Sequence, residues 1–591
     1  GVQTCALPIS VFGEIKLTKD LTFRSEFHTE YKNWERNRFV PKAYPTAGAY
    51  TDRSRGAHET SSRLHWNWQN FLTFTRTFGK HNVNAVLGYS AEEISYMSSF
   101  MEKYDFPSDN ITTLNQALTI LKADDVRTNK SSEAMIGSYA RAMYNYVGKY
   151  YLTASVRRDG SSKFGFEKKW GVFPSFSAAW RMSDESFFTP LTKYINDLKL
   201  RGGYGVIGNS GISNYRVLSV LGASPYVEGI GSTVSAGYAF DRVPNPDLGW
   251  ESNTEYDFGV DMELFNSRIS FSMDYFYKHT TNMLFDMPLP RITGFSSYTK
   301  NIGSMRNRGL EYELTSRNLT GTFNWTTDLN LSYYRNRVLD TGEDKRPLIS
   351  NNGYTIEGKP LSGLWGSYFL GPYKDWEDVK TNPINNSTYP TWRQRSSPGT
   401  SKLFDVNGDG VIDGSDNTIL GNPTPDFIWG MTNTFEYNGF DLVIQINGVQ
   451  GGDHILTNME SVLVWNSGST NVSYEYFNNY WRPDRPDAKY PVPNRKRGDT
   501  TQSRGTTVFD GSYMNIQNIT FGYSLPKSLL RKIDVSNLRI YTSIQNALFL
   551  TKYPGYNPDV NQSGNSALSQ GTDAGAYPLT RIVSFGLNVS L

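Results

Sequence analysis

Asn324–Tyr333 reads N-W-T-T-D-L-N-L-S-Y, and its alternation decides the fold. Trp325, Leu329, Leu331 and Tyr333 fall on one face, with Asn324, Thr326, Asp328, Asn330 and Ser332 on the other. Tyr256, Phe258, Val260, Met262 and Leu264 alternate in the same way with Glu255, Asp257, Gly259, Asp261 and Glu263. Ile269, Phe271, Met273 and Tyr275 then alternate with Ser270, Ser272 and Asp274. A period of two belongs to an extended strand whose faces meet different surroundings. The apolar face here is large and aromatic, and the other carries carboxylates and amides. A soluble sandwich turns its polar face to bulk water, whereas a transmembrane barrel turns its apolar face to lipid and keeps the polar one in a lumen.

Connection lengths separate the two. The alternation predicts about sixteen strands, near 12–31, 62–78, 82–97, 132–147, 150–160, 171–183, 197–209, 252–265, 268–282, 302–317, 322–337, 425–437, 440–450, 511–524, 536–548 and 578–591. Short joints at Gly79-Lys80-His81, Gly148-Lys149, Asn266-Ser267, Leu319-Thr320-Gly321 and Asn438-Gly439 alternate with long segments at 32–61, 98–131, 210–251, 283–301, 338–424, 451–510 and 549–577. Asn-Gly between alternating strands is a strong hairpin signal, because both central residues of a type I′ turn take positive φ. Long structureless loops are uncommon in soluble domains. Short periplasmic turns and long extracellular loops are the asymmetry of an outer-membrane barrel. The predicted fold is therefore an all-β, antiparallel up-and-down transmembrane barrel. Asn266-Ser267, Gly148-Lys149 and Asn438-Gly439 should lie at one rim. Phe427, Trp429, Met431, Phe435, Phe440, Leu442, Ile444 and Ile446 should face lipid, with Glu436, Asp441, Gln445 and Asn447 facing inward.

Composition agrees. The 591 residues hold 59 Lys+Arg and 57 Asp+Glu, a net charge of +2 that points to no nucleic acid partner. Mean hydropathy is −0.50 and no apolar run approaches the length of a membrane helix. Thirty-eight Tyr, 33 Phe and 13 Trp suit interfacial girdles. The single cysteine, Cys5, lies in the opening G-V-Q-T-C-A-L-P-I, which resembles the translation of a sequencing-library adapter. Residues 1–9 are accordingly set apart from residues 10–591, and the chain is expected to be a fragment cut at its 5′ end. No basic segment followed by an apolar one marks a signal peptide.

Several stretches carry more than rhythm. R-R-D-G-S-S-K-F-G-F-E-K-K-W-G-V-F-P-S-F-S-A-A-W-R-M (Arg157–Met182), L-R-G-G-Y-G-V-I-G-N-S-G-I-S-N-Y (Leu200–Tyr215) and N-P-D-L-G-W-E (Asn245–Glu251) resemble signatures of the SusC/RagA family of TonB-dependent outer-membrane transporters. So do N-I-G-S-M-R-N-R-G-L-E-Y-E-L (Asn301–Leu314) and D-V-N-G-D-G-V-I-D through G-N-P-T-P-D-F (Asp405–Phe427). They run in family order over most of residues 150–591; residues 10–149 fit by strand pattern. Two places depart from the family's usual form, Gly208-Asn209-Ser210 and the terminal Leu591 in place of an aromatic residue. The resemblance implies a barrel of about 22 strands with an N-terminal plug, of which about six strands and the plug would be missing here. It also implies a SusD-like lipoprotein over the extracellular mouth, coupling to the TonB–ExbB–ExbD complex, and a Gram-negative outer-membrane location. The implied function is active import of glycan (oligosaccharide) or peptide fragments.

Within the long segment 338–424, D-V-N-G-D-G-V-I-D-G-S-D spaces its oxygens like a twelve-residue calcium loop. Asp405, Asn407 and Asp409 take positions 1, 3 and 5, the Val411 carbonyl position 7, Asp413 position 9 and Asp416 position 12. Aspartate where helical loops use glutamate predicts a weak, structural Ca²⁺ site, about 10⁻⁴ to 10⁻³ M. The competing reading is a cluster of Asx turns without metal. Calcium-loop carboxylates that bind should face one cavity even without the ion. No other cofactor is implied.

No enzyme is legible. Gly353–Lys359 resembles a phosphate loop, but Pro360 stands where Mg²⁺ needs a hydroxyl. The six histidines have no zinc spacing. Ser210 lacks a nucleophile elbow. Long-segment aromatics, namely Trp365, Tyr368, Tyr373, Trp376, Trp392, Trp465, Tyr474, Tyr480 and Trp481, are candidates to stack on sugar rings. For any single one, packing between loops is the plainer role. Two alternatives stand beside the transporter: a plug-free diffusion porin, and a secreted glycan-binding or adhesive β protein.

Overall fold

Seventeen long strands belong to one antiparallel sheet. They are β1 (Val2–Lys16), β2 (Leu21–Val40), β3 (Arg55–Phe78), β4 (His81–Tyr104), β5 (Val126–Tyr146), β6 (Tyr150–Ser161), β7 (Trp170–Arg181), β8 (Ile195–Asn209) and β9 (Glu251–Leu264). β10 (Ile269–Thr281), β11 (Ser304–Leu319), β12 (Phe323–Asp340), β13 (Pro425–Tyr437), β14 (Phe440–Gly451), β15 (Tyr513–Ser524), β16 (Asn537–Thr551) and β17 (Ile582–Ser590) complete it. The computed structural model describes the chain apart from residues 1, 47–48, 52, 121–124, 225, 229–232, 236, 343–344, 351, 382–396, 411, 457–471, 494–505, 531–534, 563, 565 and 591.

The chain divides into two units, 1–180 with 202–255 and 280–302, and 181–201 with 256–279 and 303–591. In the first unit β1 to β7 form an uninterrupted meander. Its turns at 17–20, 79–80 and 147–149 lie at one end of the strands, and segments 41–54, 105–125 and 162–169 at the other. The turns sit side by side: Thr75 N–H donates to Asp20 O (2.9 Å) and Val147 N–H to Lys80 O (3.0 Å). In the second unit β11 to β17 repeat the arrangement. There, 320–322, 438–439 and 525–536 lie at one end, with 341–424, 452–512 and 552–581 at the other. Asn438 (φ 46°) and Gly439 (φ 87°) make the left-handed pair a type I′ turn needs. Phe265, Asn266 and Ser267 take φ of 54°, 57° and 58° in the turn from β9 to β10.

One predicted strand is corrected. The segment near 12–31 is two strands, β1 and β2, so the sheet holds seventeen rather than about sixteen. Its turn, Leu17-Thr18-Lys19-Asp20, lacks glycine, proline and asparagine; the Thr18 hydroxyl holds it by accepting from Asp20 N–H (3.2 Å). The adapter-like opening contributes Thr4–Ile9 to β1, paired with Ile9 opposite Thr29. Predicted long segments are also shorter at this end of the chain, because β2, β3 and β4 run on to Val40, from Arg55 and to Tyr104.

The two faces separate as the alternation requires. Register puts Leu331, Trp429 and Gly448 in one row, Leu329, Met431, Ile446 and Ile516 in the next, and Trp325, Phe435, Leu442 and Phe521 in a third. None of Phe427, Trp429, Met431, Phe435, Phe440, Leu442, Ile444 and Ile446 is buried. On the other face Asp441 accepts from Arg539 Nε (2.9 Å), and Arg201 bridges Asp261 (2.8 Å) and Asp274 (2.8 Å). Among the described residues, every buried hydrophobic side chain except Val338 lies outside the seventeen strands. A sandwich would bury these apolar faces against a second sheet. This sheet leaves them open, and its hydrophobic cores are in the connections.

Candidate functional site

In the first unit three of the signature stretches meet. Gly165 N–H donates to Leu248 O (3.1 Å), and Phe164 packs on Trp250 with ring centroids 5.1 Å apart. Trp250 Nε1 donates to Lys169 O (2.9 Å), and Phe173 meets the same indole edge-on. Asn301 closes the third side: its Oδ1 accepts from Gly249 N–H (2.8 Å) and its Nδ2 donates to Gly249 O (2.9 Å). Asn245 Nδ2 donates to Thr299 O (2.9 Å). Leu248, Phe164 and Asn245 are buried. A side chain at Gly165 would collide with the Pro246 carbonyl, which explains a glycine there. These motifs form a clamp joining the ends of β6, β8 and β10; they hold shape and present no reactive group.

In the second unit the three longest connections are knitted together. Asp453–Leu456 pairs antiparallel with Val508–Asp510 and parallel with Thr572–Asp573. Ser362 Oγ accepts from Gln570 N–H (2.8 Å), and Asn422 N–H donates to Asp453 Oδ2 (2.8 Å). His454 Nε2 lies 2.6 Å from Pro558 O, which makes Nε2 the protonated nitrogen. Tyr553 OH donates to Asp573 Oδ2 (2.9 Å) and its ring meets His454 edge-on. Burial pushes the His454 imidazole below its ordinary range and the Asp453 carboxyl above. Burial and the Asp573 carboxylate push the Tyr553 phenol up. No local pattern marked His454, Tyr553 and Asp573 as partners, since a hundred residues separate the first two.

The candidate aromatics divide. Trp365 stacks on Tyr354 (5.4 Å) within the small sheet Leu348–Ser350, Gly353–Thr355, Gly363–Ser367 and Asn417–Gly421. Tyr373 is buried, and Tyr480 stacks on buried Tyr476 (5.7 Å). Trp481 Nε1 donates to Lys374 O (3.1 Å), while Lys374 pairs with Asp487 (2.5 Å). These four pack loops together. Trp376, Tyr368 and Tyr474 stay exposed, at 60%, 50% and 86%. Trp376 opens the helix Trp376–Thr381, set by Asp375 accepting from Asp378 N–H (2.8 Å). Tyr474 opens Tyr474–Asn479, capped by Ser473 Oγ on Tyr476 N–H (3.1 Å). Trp392, Trp465 and Val411 lie outside the described residues.

The acidic loop is organised by its own backbone. Asp405 Oδ1 and Oδ2 accept from Gly408 N–H (2.7 Å) and Gly410 N–H (2.8 Å). Asn407 Oδ1 accepts from Asp409 N–H (3.0 Å), and its Nδ2 donates to Asp409 Oδ2 (2.9 Å). Asp416, fully buried, accepts from Val406 N–H (2.9 Å) and Asp413 N–H (2.8 Å), and Asp413 Oδ1 from Ser415 N–H (2.7 Å). The Gly410 amide first, then that of Gly408, holds the Asp405 carboxyl below its usual range. Among the described residues no three acidic or imidazole side chains gather around one point, and Val411, whose carbonyl is expected at position 7, lies outside those residues. The donor set is all oxygen and suits a hard cation, but its geometry here is the Asx-turn cluster.

Most of the chain matches a known sequence profile. The family described as "TonB dependent receptor-like, beta-barrel" covers residues 13–427. The chain belongs to that family. TonB-dependent receptor P39 of Formosa agariphila is 30% identical across 97% of this chain and 57% of its own length. TonB-dependent receptor SusC of Bacteroides thetaiotaomicron is 24% identical across 90% of this chain and 50% of its own. The solved structure titled "Structure of the RagAB peptide transporter" superposes with a TM-score of 0.82 at 21% identity, over all of this chain and 62% of that one, and shows the same fold. The chain is SusC/RagA-like, a β-barrel protein of the outer membrane, and spans little more than half the length of the curated relatives it matches. These relatives are receptors and transporters, and the chain is no enzyme. Membership removes the secreted adhesive protein.

Proposed function

We propose that this chain forms barrel wall and extracellular loops of an energy-coupled importer that takes up oligosaccharide or peptide fragments. Its partners in that reading are a SusD-like surface lipoprotein and the TonB–ExbB–ExbD complex. The observation that carries it is similarity to SusC across 90% of the chain. The exposed Trp376, Tyr368 and Tyr474 favour sugar rings, whose apolar faces complement aromatic ones. The name of the RagAB peptide transporter supports the peptide class instead. Trp376 and Tyr474 each open a short helix, and Tyr368 lies between the strands Gly363–Ser367 and Phe369–Pro372.

The test is uptake by cells carrying the complete gene. Fluorescent oligosaccharides and peptides should enter in a manner abolished by gene deletion and by loss of TonB. Uptake that depends on the gene but not on TonB would instead support the diffusion porin. Uptake unchanged by deletion would overturn the proposal.

A further inference from the structure

The sheet of the first unit leaves a slot where one strand stops. β6 ends at Ser161, opposite Met135, while β5 runs on beside β4 as far as Val126. Side chains that follow β6 and β8 cap the β5 amides there: Ala134 N–H donates to Ser162 Oγ (2.9 Å) and Ser132 N–H to the Tyr215 hydroxyl (2.8 Å). Beside these caps lies a cavity of about 160 Å³, the space of about five waters, lined also by Glu93, Glu133, Lys163 and Asn214. Glu93 stands opposite Ala134, whose short methyl lets the carboxylate reach the slot. Among the described residues that carboxylate accepts two long hydrogen bonds, from Trp66 Nε1 (3.3 Å) and Ser95 Oγ (3.4 Å). Glu133 is paired with Lys163 (2.8 Å). Asn214 Oδ1 is buried and, among the described residues, accepts no hydrogen bond. The slot thus holds one negative charge in excess, with an unpaired acceptor beside it. A buried acceptor without a donor costs about 1–3 kcal/mol. These groups suit a small cation that donates hydrogen bonds.

Register fixes the height of the slot. Glu93 shares a face with Leu87, Tyr89 and Ala91, the face turned to lipid. Trp68, Ala91, Ile136, Gly160 and Trp170 form one row across the sheet. Trp66, Glu93 and Ala134 form the next row toward the long connections. Trp68, Tyr89 and Trp170 are exposed, a girdle of the kind that marks a membrane interface. Ala134 is 12 residues along β5 from Tyr146 at the short-turn end. At about 3.3 Å per residue and a tilt near 40° it stands about 30 Å up, just past an apolar band of about 25 Å. The slot therefore opens at the level of the outer-leaflet headgroups. Arg158, on the same face, sends its guanidinium over the Trp170 ring (4.3 Å to the centroid), and that ring lies against Gly160 in the row just below the slot. Among the described residues no carboxylate pairs with Arg158.

We propose that this slot binds the headgroup of an outer-leaflet phosphoethanolamine lipid. The ammonium donates to the Glu93 carboxylate and Asn214 Oδ1, and the phosphate meets Arg158. An anionic headgroup would face the excess carboxylate, and a quaternary ammonium has no N–H to give Asn214. The site needs only a lipid-embedded barrel, whatever that barrel imports.

The test is lipid retention. The protein is extracted from vesicles of phosphatidylethanolamine, phosphatidylcholine and phosphatidylglycerol in equal parts with the same acyl chains, and the bound lipid is read by native mass spectrometry. Phosphatidylethanolamine should be retained over each of the others by about tenfold, the factor of one hydrogen bond to a charged group. Glu93→Gln should erase the preference over phosphatidylcholine. Asn214→Leu, in a connection rather than a strand, should reduce it. Arg158→Gln should weaken retention of both lipids alike, and Lys130→Gln, on the same face beyond the slot, should change nothing. Each variant should keep the parent's unheated gel mobility, which reports a folded barrel. Equal retention of the three lipids, or an undiminished preference in both Glu93→Gln and Asn214→Leu, would overturn the proposal. Loss of the bound lipid to soluble phosphoethanolamine at equal concentration would assign the slot to a solute and overturn it equally.

Discussion

Asp416 is the residue on which the acidic loop turns. Fully buried, it satisfies two backbone amides, Val406 and Asp413. A hydrogen bond to a charged group contributes about 1.5–3 kcal/mol. Asp416→Ala should therefore open segment 405–416 to proteolysis equally in EDTA and in millimolar Ca²⁺. A defect seen only in calcium would restore Asp416 as a metal ligand. His454 carries the pH dependence. Its folded pKa lies below the ordinary 6.5, so its contribution is present above about pH 6.5 and is lost as pH falls through the lowered value. Asp453, with a raised pKa, acts in the opposite sense: its contribution is present below 3.8 and lost as pH rises through the raised value. Asp510 and Asp573 also face this corner. The protection of the Ile455 and Leu456 amides, taken relative to their intrinsic exchange at each pH, should fall on acidification below pH 6.5, and His454→Gln should remove that step.

Among elements, the hairpin at Asn438-Gly439 was the most legible, because positive φ at both central residues has few sequence solutions. Gly439→Ala should cost about 1 kcal/mol through its φ of 87°, read as a lower unfolding temperature in detergent. The turn at 17–20 was illegible for the opposite reason. A threonine hydroxyl does the work there, and Leu17-Thr18-Lys19-Asp20 looks like more strand. The clamp was visible as motifs but not as a device, since Asn301 and Gly249 find each other only in three dimensions. The aromatics show the same limit: nothing local separates exposed Trp376 from Trp481, whose indole reaches a carbonyl 107 residues away. The acidic spacing is legible as spacing, but carboxylates beside a turn reach its own amides as readily as an ion, and nothing local in the sequence ranks the two.

For the whole molecule, the sheet's apolar face needs lipid and its charged face needs water. Trp429→Lys places a charge on the first and should cost about 2–4 kcal/mol if the site lies near the bilayer midplane. The same lysine at Gln445, on the second, should be nearly neutral. Folding into vesicles, followed by the shift of the denatured protein's gel mobility, distinguishes them. The central claim is met most directly by a cysteine scan of Asp441–Asn447 in a Cys5→Ser background, spin-labelled in lipid vesicles. Leu442, Ile444 and Ile446 should be open to oxygen and closed to a water-soluble nickel complex, and Asp441, Val443 and Gln445 the reverse, with a period of two. Labels that are shielded from both reagents along the whole stretch, as in the core of a sandwich, would contradict it.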